Sequence, residues 1–197
     1  MNTRIAFLLT LNTKSERAIF SKLVLEKIGF EVQFIECIHN ENKVLSNKLS
    51  MQNIYSLIKS LSEPYYYIFE DDINILETIT LNEIIEYEKL SPIFFYLGLC
   101  ERAGETSILT QEKINGHNIF CKSGNIHGLH AIGISNKGAS ELLDFSKQSN
   151  EPYMDVILSD FSLKYPANIV RYDLESYIPG HRGIIFQDRN KFPSSIG

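Results

Sequence analysis

Four things are scarce in this chain: cysteine, positive charge, long apolar runs and glycine near the start. Each shortage removes a class of protein. The three cysteines, Cys37, Cys100 and Cys121, stand far apart. An odd, widely spaced set fits neither a disulfide framework nor a zinc site, and it points to reduced thiols in a cytoplasm-like compartment. The formal net charge is -5 and the pI about 5.6, so no nucleic-acid partner is expected. The densest basic stretch, Lys43 to Lys48, is short and interrupted and reads as a solvated loop. The early apolar run "IAFLLTL" is too short for a membrane span, and no small-residue cleavage site follows it. It reads as the first strand of an unexported, cytoplasmic protein. The next segment, "TLNTKSER", holds no glycine, which disfavours the glycine-rich phosphate loop that a nucleotidyltransferase would need there. No internal repeat, linker or low-complexity segment is present. What remains, at 44% hydrophobic and 22% charged over 197 residues, is an ordinary globular composition with room for a sizeable core. One domain over 1–197 is expected.

The periodicities predict an α/β fold. Arg4 to Leu11 reads as a strand, and Phe20, Leu23, Val24 and Ile28 as one face of a helix that Gly29 stops. "FEVQFIECI" is a second strand, so the chain opens β-α-β, the pattern of a parallel sheet. Asn40 to Lys48 reads as a loop, followed by a helix through Met51, Ile54, Tyr55, Ile58 and Leu61. Tyr65 to Phe69 is apolar on both faces, as a central strand covered by helices would be. A polar helix over Leu81 to Lys89 and a strand, "IFFYLGL", come next. Glu101 to Gly116 shows no period and reads as a loop. "HAIGIS" runs into a helix capped by Ser135 or Asn136, with Ala139, Leu142 and Leu143 on its buried face. Met154 to Leu163 forms a last helix, "NIVRY" a further strand, and the tail from Asp173 is irregular. Together these predict a mostly parallel, Rossmann-like sheet flanked by helices.

The sharpest local feature is Glu70-Asp71-Asp72, three carboxylates at the exit of that central strand. Ligands of open α/β sheets bind beyond the carboxyl ends of the strands. Adjacent carboxylates repel, and a hard divalent cation, Mg²⁺ or Mn²⁺, would relieve that repulsion while phosphate oxygens complete its shell. The triplet also suits a helix cap or a solvated turn.

Four stretches resemble glycosyltransferases of the GT-A fold, and most of all glycosyltransferase family 25, the lipopolysaccharide and procollagen galactosyltransferase group. They are "LLTLNTKSERAIFSKLVLEKIGFEVQFIECI", "YIFEDDINI", "GLHAIGISNKGASELL" and "EPYMDVILSD". The chain departs from that pattern in having only Arg17 after the first strand, and in having "KVLSNKLSMQN" where the family often has a Gly-Cys-x-x-Ser-His stretch. The resemblance implies transfer of a sugar from a nucleotide donor, UDP-linked by expectation, to a hydroxyl of a glycan or protein. It implies Asp71 and Asp72 as ligands of Mn²⁺ (or Mg²⁺), with His181 as a late ligand and Glu70 beside them. Thr10, Leu11, Asn12 and Arg17 would meet the nucleotide, although Asn12 and Thr13 can equally cap the helix. Arg182, in "IPGHRG", would neutralise diphosphate. Asp155 is the candidate general base, and its place near a helix start also suits a cap. His130 is expected at the acceptor site or in the core, and His39 and His117 at the surface. The alternative reading is a transferase-like domain that binds a carbohydrate or protein without turnover.

Overall fold

The computed structural model describes residues 3–91, 93–101 and 108–193. The chain opens with β1 (Ile5–Thr10), α1 (Glu16–Ile28), β2 (Glu31–Glu36), α2 (Lys43–Lys59) and β3 (Tyr65–Glu70). A short β4 (Ile73–Ile75) and α3 (Leu81–Glu88) lead to β5 (Phe94–Glu101), the hairpin β6 (Ile108–Ile114) and β7 (His117–Lys122), and β8 (Ile126–Ser135). Helices α4 (Asn136–Gln148) and α5 (Met154–Lys164) precede the three-residue strands β9 (Ala167–Ile169), β10 (His181–Gly183) and β11 (Ile185–Gln187).

A nine-stranded sheet runs in the order β2-β1-β3-β8-β5-β9-β7-β6, with β10 also paired to β5. Strands β1, β2, β3, β5, β6 and β9 share one direction. β8 enters antiparallel between β3 and β5. Alternation along the strands divides the core in two. Phe7, Leu9, Tyr66 and Ile68 face α2, α4 and α5, while Ala6, Leu8, Tyr67 and Phe69 face α1 and α3. Both sheet faces are therefore covered, as an unbroken apolar run such as Tyr65–Phe69 requires.

Several expectations hold in detail. Gly29 closes α1 in a left-handed conformation at φ 116°. Ser135 caps α4 by accepting from Gly138 N, and Ala139, Leu142 and Leu143 are buried. Others need correction. α1 buries Ala18, Ser21, Leu25 and Ile28 and leaves Leu23 60% exposed. Its inner face is thus rotated from the one predicted, because a small Ser21 packs where the large residues do not. α2 begins at Lys43, inside the expected loop, and Asn42 caps it with bonds from Val44 N and Leu45 N. Residues 108–114 of the expected Glu101–Gly116 loop form β6, while 102–107 lie outside the described residues. The tail supplies β10 and β11. Among the described residues no helix is long and apolar enough to cross a membrane.

Candidate active site

The parallel pairing of β1 with β3 sets Leu9 opposite Glu70. That register brings the end of β1 beside the acidic triplet, and Thr10 Oγ1 donates to Asp71 Oδ2 at 2.5 Å. Ser15 caps α1 through a bond from Ala18 N, so Asn12 and Thr13 are not its cap. Asn12 instead closes the preceding turn by accepting from Lys14 N. From the first turn of α1, Arg17 Nη2 reaches Asp71 Oδ1 at 2.6 Å and Asp72 Oδ2 at 3.4 Å. Further along the same helix, Ser21 Oγ donates to the Asp71 carbonyl.

The other half of the site arrives from the far end of the chain. β11 pairs antiparallel with β4, Gln187 opposite Ile73, and Asp188 N donates to the Asp72 carbonyl at 2.7 Å. This places Gln187 and Arg189 against the triplet. Arg189 Nη1 lies 2.8 Å from Asp72 Oδ2. Gln187 Nε2 donates to Glu70 Oε2 at 2.6 Å and, more distantly at 3.5 Å, to Asp72 Oδ1. Asn74 Nδ2 steadies the turn by donating to Asp188 Oδ2.

Two guanidinium groups and an amide thus offset the repulsion within the triplet. The compensation is uneven. Burial, with Asp72 and Asp71 alongside, pushes Glu70 up to about 8 against the opposing pull of Arg189 and Arg17. Burial also raises Asp72, again against Arg189 and Arg17.

Two clefts adjoin here. The first is lined by Thr10, Leu11, Arg17, His39 and Lys43 together with the triplet. The second holds His127, Gly128, Tyr153, Met154 and Asp155. Asn47, Glu70 and Arg189 belong to both. In the second cleft His127 Nδ1 stands 3.8 Å from Asp155 Oδ2. His127 Nε2 is buried without a partner. Asp155 Oδ1 also accepts from Val156 N at the start of α5.

The predicted residues sort accordingly. Thr10, Leu11, Arg17, Glu70, Asp71 and Asp72 line the first cleft and Asp155 the second. Asn12, His181 and Arg182 line neither. His181 sits on β10 opposite Cys100, with Nε2 3.4 Å from its Sγ and the ring stacked on His130 at 6.0 Å. His130 is fully buried and pushed down to about 3 by burial and by His181. Burial also raises the Cys100 thiol to about 12. His130 is core and His181 is half-buried against it, and their contacts are not with Asp71 and Asp72. Arg182 is committed elsewhere. It bonds Glu101 Oε2 at 2.9 Å and lies 5.0 Å over the Tyr172 ring. Arg189, in "FQDRN", occupies the place expected of Arg182. His39 is exposed, as expected, and also lines the first cleft. His127, Gln187 and Arg189 were not anticipated. The signal for the last two was present as an amide, an acid and a guanidinium directly after a short apolar run.

As they stand, these residues do not fit the divalent metal that the resemblance implies. Among the described residues no group of three or more His, Cys, Asp or Glu side chains is gathered to hold a metal ion. Arg17 pairs with Asp71 Oδ1 and Arg189 with Asp72 Oδ2, while Thr10 donates to Asp71 Oδ2 and Gln187 to Asp72 Oδ1.

No protein-family model matches the sequence, and no curated protein sequence matches it. Among solved structures the chain is similar to A197 from STIV, with 12% identity, 85% of this chain and 81% of that one covered, and a TM-score of 0.43. It is similar to the glycosyltransferase GlyE of Streptococcus pneumoniae TIGR4 at 11% identity over 84% of this chain, with a TM-score of 0.45, and spans 45% of that protein. HddC from Yersinia pseudotuberculosis shows 16% identity over 77% of this chain and 60% of its own, at a TM-score of 0.32.

Proposed function

We propose that this chain transfers a sugar from a nucleotide donor, held in the first cleft, to a hydroxyl of an acceptor held in the second. The observation that carries the reading is the shared wall. Two clefts meet at Asn47, Glu70 and Arg189, so two substrates can meet across one small polar partition. The motif resemblance of "YIFEDDINI" and its companions supports the same reading.

The first cleft offers apolar walls at Leu9 and Leu11 and polar groups at His39, Asn40 and Asn47, a mixture suited to a nucleoside. Arg17 and Arg189 line it beside the triplet, where the diphosphate belongs. In the second cleft Asp155, with His127 against it, faces the acceptor. The acceptor oxygen bonds to the anomeric carbon as the carbon–oxygen bond to the diphosphate breaks. The bonding pair leaves on the diphosphate oxygen, where the guanidinium groups stabilise it. The hydroxyl proton passes to the carboxylate of Asp155.

The test is release of nucleoside diphosphate from a panel of nucleotide sugars, each with and without sugar and peptide acceptors. The expected result is slow release with one donor, accelerated by one acceptor class. Binding of a donor with no release under any condition would instead support the domain that binds without turnover.

A further inference from the structure

We infer that Arg17 and Arg189 hold the donor diphosphate directly, without a divalent metal, and that Asp71 and Asp72 are positioning residues for those two guanidinium groups. This rests on the nucleotide-donor reading above and adds how the donor is bound.

The atoms that remain unmet at the site separate the two roles. A metal needs free oxygen lone pairs, and Mg²⁺ takes them at about 2.0–2.1 Å in near-octahedral array. The Asp71 oxygens are taken by Arg17 at 2.6 Å and Thr10 at 2.5 Å. Asp72 Oδ2 is shared by Arg189 at 2.8 Å and Arg17 at 3.4 Å, and Oδ1 faces Gln187 at 3.5 Å. A cation there would have to share these oxygens with two guanidinium groups and bear their positive charge at contact distance.

The spare capacity lies on the donor side. Arg17 Nε is buried and has no partner. Arg17 reaches both carboxylates with Nη2. Arg189 has one carboxylate partner among the described residues, Asp72, met through Nη1. A guanidinium carries five N–H groups in a planar fork, so each arginine keeps donors beyond those its carboxylate uses. A buried donor left unpaired is costly, and a phosphate oxygen is the acceptor that relieves it. Both arginines line the first cleft, and Lys43 lines it too, adding positive charge on the same wall. The chemistry wanted is an anion with several oxygens that a fork can grip.

The positions support the same division of labour. Arg17 stands on a capped helix and Arg189 follows a two-stranded ladder. Neither guanidinium is held by its own element alone. Asp72 touches both, so it fixes the distance between them as a bridging carboxylate.

The experiment is calorimetric titration of UDP and, separately, inorganic pyrophosphate into the full chain, once with EDTA and once with excess Mn²⁺. The expected affinities agree within about threefold in the two buffers. Charge-assisted hydrogen bonds of about 1.5–3 kcal/mol predict a loss of about tenfold or more in Arg189→Ala and in Arg17→Ala. Arg189→Lys should recover only part of it, because an ammonium lacks the fork. Asp72→Asn should weaken binding equally in both buffers, as a positioning residue would. Binding that appears only with Mn²⁺, and that Asp72→Asn abolishes, overturns the arginine clamp while leaving the nucleotide-donor reading standing. Absence of UDP and pyrophosphate binding in both buffers overturns the donor reading, and the clamp with it. The wild-type comparison between buffers needs no variant, so a variant that fails to fold leaves the question decided.

Discussion

At the scale of single residues, Glu70 changes its charge within an ordinary pH range. Its carboxyl titrates near 8 in the folded chain because it is buried beside Asp72 and Asp71, with Arg189 and Arg17 only partly opposing them. An unfolded glutamate titrates near 4.3. Between those values the folded state keeps a proton that the unfolded state has lost, so stability falls as pH rises. The contribution is fully present below about pH 4.3 and is lost as pH passes through about 8. Gln187 Nε2, which donates to Glu70 Oε2 at 2.6 Å, serves the neutral acid and an amide equally well. Glu70→Gln should therefore melt higher than the wild type at about pH 9, and by clearly more than at about pH 5. Melting curves at both pH values check this. A pH-independent difference between the two proteins would mean that Glu70 is not held neutral.

At the scale of elements, the sheet was legible where its strands are long and apolar. "IAFLLT", "YYYIF" and "FFYLGL" announce β1, β3 and β5 because burial on both faces leaves no polar break. The pieces that were not legible are short or polar. β10 and β11 have three residues each, too few to show a period, and they form only because distant strands receive them. The same reason hid half of the site. Thr10 and Glu70 end long strands, Asp71 and Asp72 follow one directly and Arg17 stands in the first turn of α1, whereas Gln187 and Arg189 depend on a ladder between segments far apart in the chain. α2 began earlier than expected because its first turn is polar, although Asn42 was an available cap signal. Gly98 shows how tightly the late strands sit. A Cβ there would run into the Ile185 carbonyl oxygen and lie 2.8 Å from His130 Nε2. Gly98→Ala should cost about 1–3 kcal/mol or more by overpacking. It should also weaken nucleotide binding, since Ile185 begins the strand that delivers Arg189. Urea unfolding beside a UDP titration tests both effects, and an unchanged midpoint would show that β11 yields freely.

At the scale of the whole molecule, the useful property is that the two clefts are separate except for Asn47, Glu70 and Arg189. A substitution in the second cleft away from that wall should spare the donor. Asp155 meets this condition, with His127 Nδ1 at 3.8 Å and the amide of Val156 as its neighbours. As the base for the acceptor hydroxyl it must take a proton when the new bond forms, and an amide cannot. General-base catalysis contributes about a hundredfold to ten-thousandfold, so Asp155→Asn should lower transfer by that range. UDP affinity should stay near the wild-type value, because no residue of the first cleft is altered. An asparagine can still accept from Val156 N, so the start of α5 should hold and stability should barely change. Release of nucleoside diphosphate to water should fall less than transfer, since water is small enough to lose its proton elsewhere. Turnover with a defined acceptor, read beside a UDP titration, separates the outcomes. A fall of less than about threefold would remove Asp155 as the base. His127, whose Nε2 is buried and unpartnered in the same cleft, would then be the group to replace next. A parallel loss of UDP affinity would mean that the partition transmits changes between the clefts, and that donor and acceptor are not bound independently.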